Sequence, residues 1–240
     1  MTFSHMTAGL PMPDQHLHPD LQYFDPKEDY SVAWRRLPHW TQAGTICFIT
    51  WRTADSLPKA AIQRLFQKRQ QLLTQHGFEA EADWKLSLAK APLSVREELH
   101  WSFFEAWDIE LGKAAGACWL REPDLSSIVM DSLRKFDGDR YVLTDAVIMP
   151  NHVHCMVAFR TEDALLHQCT AWKRYTATQI NRWLKERSLP VLPKGEFWQT
   201  DQFDHLVRNE EYFLKFRRYI QNNPACAGLP EGQFRHYSTM

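Results

Sequence analysis

Two pairs of residues in this chain have types and spacings that could do chemistry. They are His152 with His154, and Tyr219 with Asn223. If the segment after Pro150-Asn151 is a strand, its side chains alternate, so His152 and His154 share one face while Val153 and Cys155 take the other. Two adjacent imidazoles can hold one divalent ion, and a place just after a turn leaves coordination positions open for substrate. HxH spacing is common, so the simpler alternative is a polar face with two incidental histidines. If the segment around Tyr219 is a helix, Tyr219 and Asn223 lie one turn apart on one face. The phenol could then meet a metal-bound phosphate while the Asn223 amide oxygen faces the ion. Arg217 and Arg218 would add positive charge that favours phosphate and phenolate. The simpler alternative here is a core tyrosine with a satisfied hydroxyl.

These residues need a scaffold. Gly44 to Trp51 is β-branched and aromatic and reads as a first strand. Ser56 is expected to cap a helix with Pro58 in its first turn, running to about Gln75 and stopped by Gly77. Pro123 opens a helix from Asp124 to about Phe136, closed by Asp137-Gly138. Tyr141 to Met149 and His152 to Phe159 read as antiparallel strands around the Pro150-Asn151 turn. A helix from about Asp163 to Lys185 follows, then a strand within Phe197 to Val207. A last helix runs from about Glu210 to Asn222 and ends before Pro224. The order is that of an α+β, ferredoxin-like (RRM-like) βαββαβ sandwich with an extra C-terminal helix. The expected division is an irregular extension over 1–35, one catalytic domain over 36–230 with a helical insertion at about 78–112, and a tail over 231–240.

An apolar fraction of 44% is enough for a buried core. The five cysteines are scattered without a CxxC pair, so they read as reduced thiols of a cytoplasmic protein. No leader-like segment opens the chain, and no apolar run approaches the roughly 20 residues that span a bilayer. A net charge of -1 does not announce a nucleic-acid partner, but Leu165 to Arg218 holds ten Lys or Arg against six acids. A solvated helix surface would give the same count.

Met149-Pro-Asn-His-Val-His154 followed by Tyr219-Ile-Gln-Asn-Asn-Pro224 and Gly228-Leu229 resembles the HUH superfamily of single-tyrosine transposases, and within it the REP-associated tyrosine transposases. Further matching stretches are Arg36-Leu-Pro-His-Trp40, Asp137-Gly138-Asp139-Arg140-Tyr141, Trp172-Lys-Arg-Tyr-Thr-Ala177 with Asn181, Phe197-Trp-Gln199, Phe203-Asp-His205 and Arg208. Together they cover about residues 35 to 230 in the family's order.

The resemblance implies a ferredoxin-like catalytic fold and a metal-dependent endonuclease and strand-transferase acting on single-stranded, hairpin or repeat DNA through a covalent 5′-phosphotyrosine. It implies His152 and His154 as metal ligands, Asn223 at the third ligand position, Tyr219 as nucleophile, and Mg²⁺ or Mn²⁺ as cofactor. Tyr175 is the competing tyrosine. Trp172, Lys173, Arg174, Arg182, Arg208 and Arg218 are the expected DNA contacts, with Trp198 a second ring that could stack on a base. No membrane or organic cofactor is expected, and a monomer is favoured over a homodimer. A cytoplasmic, bacterial, nucleoid-associated protein fits. The rival readings are a domesticated DNA-binding protein with little catalysis, a small-phosphodiester hydrolase that would not need Tyr219, and a relaxase-like nickase.

Overall fold

The computed structural model describes residues 21–34, 38–78, 84–162 and 164–239. Most of the 1–35 extension, Arg36, Leu37 and part of the expected insertion lie outside the described residues. The chain divides into two compact units, one being Leu57–Gly116 and the other the remaining described residues.

The larger unit opens with a hairpin of β1 (Ser31–Trp34) and β2 (Pro38–Thr41), where an irregular extension was expected as far as residue 35. Its main sheet contains β3 (Ile46–Arg52), β4 (Tyr141–Ile148), β5 (His152–Phe159), β6 (Phe203–Leu206) and β7 (Arg235–Ser238). The order across the sheet is β6-β3-β5-β4-β7, with every pairing antiparallel. Without β7, the strands lie fourth, first, third, second in chain order, which is the ferredoxin-like arrangement. Pro150-Asn151 forms the tight turn between β4 and β5, closed by the Met149 N–H donating to the His152 carbonyl at 2.9 Å.

Alternation then divides the side chains. Val153, Cys155, Val157 and Phe159 of β5 pack in one core with Leu125, Val129 and Leu133 of α4 (Pro123–Arg134) and Leu165, Cys169, Trp172 and Ile180 of α5 (Ala164–Glu186). His152 and His154 face the other way, toward α6 (Glu210–Cys226). That second layer explains why every residue of β5 is buried. Strands covered on both faces lose the simple apolar-polar alternation of a half-solvated sheet.

The smaller unit holds α1 (Lys59–Gln75), α2 (Trp84–Lys90) and α3 (Leu93–Leu111). Leu57, Ala61 and Leu65 cluster with Leu111, and Leu72 and Leu73 with Leu88 and Leu99. The inserted unit therefore begins at residue 57 and not near 78. The helix that completes the first βαβ segment over the sheet is α4, because α1 spends its apolar stripe on α3. Gly77 ends α1 with φ +78, a conformation that a Cβ would strain.

Three local expectations fail for identifiable reasons. Ser56 is not the α1 cap: Pro58 takes that position, and the Ser56 hydroxyl donates to the Thr53 carbonyl at 2.8 Å. Helix α6 does not stop before Pro224 but runs through it to Cys226. A proline removes only its own N–H and one intrahelical bond, and two further residues suffice to close this helix. Residues 235–238 are a strand and not a tail, because β4 would otherwise leave an unpaired edge.

Candidate metal and tyrosine centre

Strand β5 supplies both imidazoles, with ring centroids 4.7 Å apart and planes at 78°. A neighbouring side chain fixes each ring through its Nδ1. His152 Nδ1 lies 2.7 Å from the Asn151 side-chain oxygen. An amide oxygen only accepts, so His152 carries its proton on Nδ1 and turns the Nε2 lone pair inward. His154 Nδ1 lies 2.7 Å from Thr50 Oγ1, on the paired residue of β3. His154 Nε2 meets the Asn223 amide nitrogen at 3.5 Å. An amide N–H donates, so His154 also presents an Nε2 lone pair and keeps its proton on the Thr50 side.

Both rings are buried, and burial alone pushes His152 down to about 3. His154 falls well below the ordinary histidine value through burial, then through its neighbour His152. Neutral imidazoles are the form that binds metal. His152 Nε2 is buried and has no hydrogen-bond partner among the described residues. An orphaned ring nitrogen in a dry site carries a desolvation cost that a bound cation would relieve. Two inward nitrogens and an adjacent carboxamide form a donor set that fits a divalent first-row ion or Mg²⁺ with its remaining positions open.

Helix α6 brings the other half. Asn209 caps it, its side-chain oxygen accepting the Tyr212 N–H at 3.0 Å. Phe213, Phe216, Tyr219 and Ile220 are buried at helical spacing. Phe216 stacks on Phe48 of β3 at 4.4 Å, which seats the helix on the sheet. Tyr219 then meets His154 edge-on at 5.2 Å and Phe48 at 5.8 Å. Its ring is 6% exposed. The structure thus brings His152, His154, Tyr219 and Asn223 together.

It does not bring the expected DNA contacts to them. Trp172 is buried on the opposite face of the sheet, stacked on Trp51 at 5.9 Å and donating its indole N–H to the Tyr141 hydroxyl. Trp198 is also core, its indole donating to Thr176 Oγ1 at 2.8 Å. Neither ring can stack on a base. Lys173 donates to the Thr200 carbonyl at 2.7 Å and to Gln202 Oε1 at 2.8 Å, so it fastens the loop before β6. Arg174 and Arg182 are exposed on α5, the layer behind the sheet. Arg208 sits over the Phe24 ring at 5.6 Å. Arg218 is half-buried on α6, beside Tyr219 in sequence. Arg217 is fully buried and ion-paired with Asp145 of β4 at 3.3 Å, so its charge is matched there. Tyr175 is 55% exposed on α5, on the far layer from the imidazoles.

Sequence reasoning missed Thr50 and Asn151 as the groups that orient the rings. Asn151 stood next to His152 in the motif and could have been found. Thr50 is distant in the chain, and its role follows only from the β3–β5 register.

Part of the chain is similar to known proteins. Residues 124–223, from α4 to Asn223, match the family model described as Transposase IS200 like. An uncharacterised protein of Haemophilus influenzae is 24% identical over 98 residues, 34% of this chain and 53% of that protein. The chain thus spans about half the length of that relative. A solved REP-associated tyrosine transposase bound to a REP hairpin aligns over 83% of this chain and 76% of its own, at 15% identity and a TM-score of 0.37. The resemblance to single-tyrosine transposases read from the sequence is borne out over residues 124–223. Among the described residues, no helix is long and apolar enough to cross a membrane.

Proposed function

We propose that this chain, which carries an IS200-like transposase segment, nicks and rejoins single-stranded DNA at a hairpin or repeat through a covalent tyrosine. The observation that carries the reading is the convergence of two inward-facing imidazole nitrogens with the phenol of Tyr219 and the carboxamide of Asn223. His152, His154 and, after rotation of its amide, Asn223 would hold the ion. A divalent ion bound there supplies Lewis-acid polarisation of the scissile phosphate.

The chain's own residues do the rest. Asn151 and Thr50 keep both imidazoles in the tautomer that donates lone pairs inward. Tyr219 attacks phosphorus: a bond forms between its oxygen and phosphorus, the bond to the 3′ oxygen breaks, and the phenolic proton is balanced by the proton gained at that oxygen. The product is a 5′-phosphotyrosine and a free 3′-hydroxyl. A second 3′-hydroxyl reverses the step, so strands rejoin without ATP because the phosphoester is conserved.

The test is incubation with labelled single strands carrying hairpins from beside the gene, in Mn²⁺ or Mg²⁺, scored for a denaturation-resistant protein–DNA adduct. The expected result is an adduct with the native chain and none with Tyr219→Phe or in EDTA. An adduct that persists in Tyr219→Phe overturns the nucleophile. Cleavage of a generic chromogenic phosphodiester that persists in Tyr219→Phe would favour a hydrolase instead.

A further inference from the structure

A nucleophile carried on a helix needs that helix held at one angle about its own axis. The buried residues of α6 form a broad arc. At about 100° per residue, Phe216 and Ile220 lie near the middle of that arc, while Tyr219 and Arg217 lie on opposite flanks, about 160° apart. Phe216 and Ile220 seat the helix, but apolar contact has little directional preference. At a side-chain radius of about 6 Å, a roll of about 10° moves a side-chain tip by about 1 Å. A displacement of that size can slow a reaction by about 10²-fold.

Arg217 supplies the missing direction, and a β-bulge aims its partner. On β4, Tyr141 and Leu143 belong to the core under α4 and α5, and so do Ala146 and Ile148. The odd step from Leu143 to Ala146 arises because the register with β5 shifts between Leu143 and Asp145. Strict alternation would put Asp145 in the apolar core beside Leu143. With the extra residue, Asp145 pairs with Met156 and turns to the face of His154 and α6. There it meets Arg217, its Oδ1 lying 3.3 Å from the guanidinium Nε.

Strand β7 closes the arrangement. Ser238 is the register partner of Asp145. Its hydroxyl donates to Asp145 Oδ1 at 2.7 Å and accepts from Arg217 Nη2 at 3.2 Å. The next residue fastens the bulge, the Thr239 N–H donating to the Thr144 carbonyl at 3.0 Å. One helix and two strands thus meet at three polar side chains. A buried ion pair adds little net stability over apolar residues of the same volume, and its best attested use is to fix one arrangement among several.

We propose that Arg217, Asp145 and Ser238 are positioning residues that set the rotation of α6 and so the seat of the Tyr219 phenol beside His154. This rests on the nicking and joining reading above. Strand β7 lies beyond the matched residues 124–223, and through Ser238 it helps to aim the nucleophile.

The test removes both charges together, as Asp145→Leu with Arg217→Met, because exchanging a buried pair for apolar residues of similar volume is often neutral or stabilising. Three quantities are read on the full chain: Tm, the single-turnover rate of adduct formation on a hairpin strand with Mn²⁺, and the ¹⁹F resonance of 3-fluorotyrosine incorporated at Tyr219. Expected are a Tm near or above that of the native chain, a rate lower by roughly 10²-fold, and a shifted or broadened resonance. Ser238→Ala keeps the ion pair and should give a smaller fall in rate with a smaller change in resonance. A pair that only stabilised the fold would change Tm and leave the rate of the folded fraction alone. A native rate, or an unmoved resonance, in the folded double variant overturns the proposal. Should the double variant fail to fold, Ser238→Ala decides by the same two readings. If the native chain forms no adduct, the nicking reading fails instead, and the fluorine resonance alone decides whether the three residues hold the phenol in place.

Discussion

Two buried histidine sites in the larger unit meet opposite fates. His152 and His154 are neutral, held by an amide oxygen and a hydroxyl, with a ring nitrogen left orphaned at His152. His39, on β2, is equally buried, yet both of its nitrogens face carboxylates. Nε2 meets Asp201 at 2.9 Å and Nδ1 meets Asp204 of β6 in a shorter contact. Burial opposes a charge on His39, but the hydrogen bonds to Asp201 and Asp204 outweigh it and raise the ring to about 9. Burial pushes Asp204 up, against the pull of His39. One site is saturated and serves to clamp the β1–β2 hairpin onto the sheet edge. The other keeps one ring nitrogen, His152 Nε2, without a hydrogen bond among the described residues. Burial therefore does not say what a histidine is for; the partners of its two nitrogens do.

The sharpest way to break this contrast is to remove a ring from each site. His152→Ala should reduce adduct formation to background, at a stability cost limited to a cavity and one hydrogen bond between neutral groups, the one to Asn151. His39→Ala should do the reverse. Removing one member of a buried ion pair costs about 3–5 kcal/mol, which is a fall in Tm of roughly 10 °C for a domain of this size, while the folded fraction keeps its rate. Thermal melts beside adduct assays read both. If the folded fraction of His39→Ala loses its rate, the clamp is not merely structural.

Much of this was legible in the chain and some was not. The β4–β5 hairpin, α5, and the shared face of His152 and His154 follow from local periodicity and a proline turn. Tyr219 and Asn223 follow from helical spacing. What failed was non-local. The pairing of β7 with β4 rests on four residues near the end of the chain. The clamp of His39 by Asp201 and Asp204 joins residues more than 160 positions apart. Trp172 and Lys173 read as DNA contacts because basic and aromatic residues alternate there, but the helix turns Trp172 into the core and Lys173 onto a loop. Helical phase relative to the sheet decides that, and composition does not encode it.

A smaller effect separates the sites by their supporting groups. Asn151→Ala and Thr50→Val leave both imidazoles in place but free their tautomers and orientation. Loss of such partners weakens metal affinity by roughly 10–100-fold. Mn²⁺ titration by calorimetry should register it in each variant. The native chain should also gain about 2.7 kcal/mol of stability at an ion concentration of 100 Kd, and His152→Ala should gain none. Unchanged Mn²⁺ affinity in both supporting variants would show that the rings are held by packing instead.

The smallest expected effect is also the one with a sign. His39 binds its proton more tightly folded than unfolded, so its contribution is complete below its unfolded value near 6.5 and is lost as pH rises through about 9. His152 is the opposite case. Its folded value is pushed down to about 3, so its neutral form costs nothing above 6.5 and increasingly opposes folding as pH falls from there. Urea unfolding of the native chain against His39→Gln should therefore give a stability difference that is flat in mild acid and shrinks between neutral pH and about 9. Against His152→Gln, the native chain should lose ground as pH drops from neutral toward 3. Each difference cancels the titrations that the two proteins share, so its slope belongs to one ring. Equal signs in the two curves would mean that the orphaned nitrogen of His152 takes up a proton as readily as His39 does, and a site that is already cationic would not attract a metal.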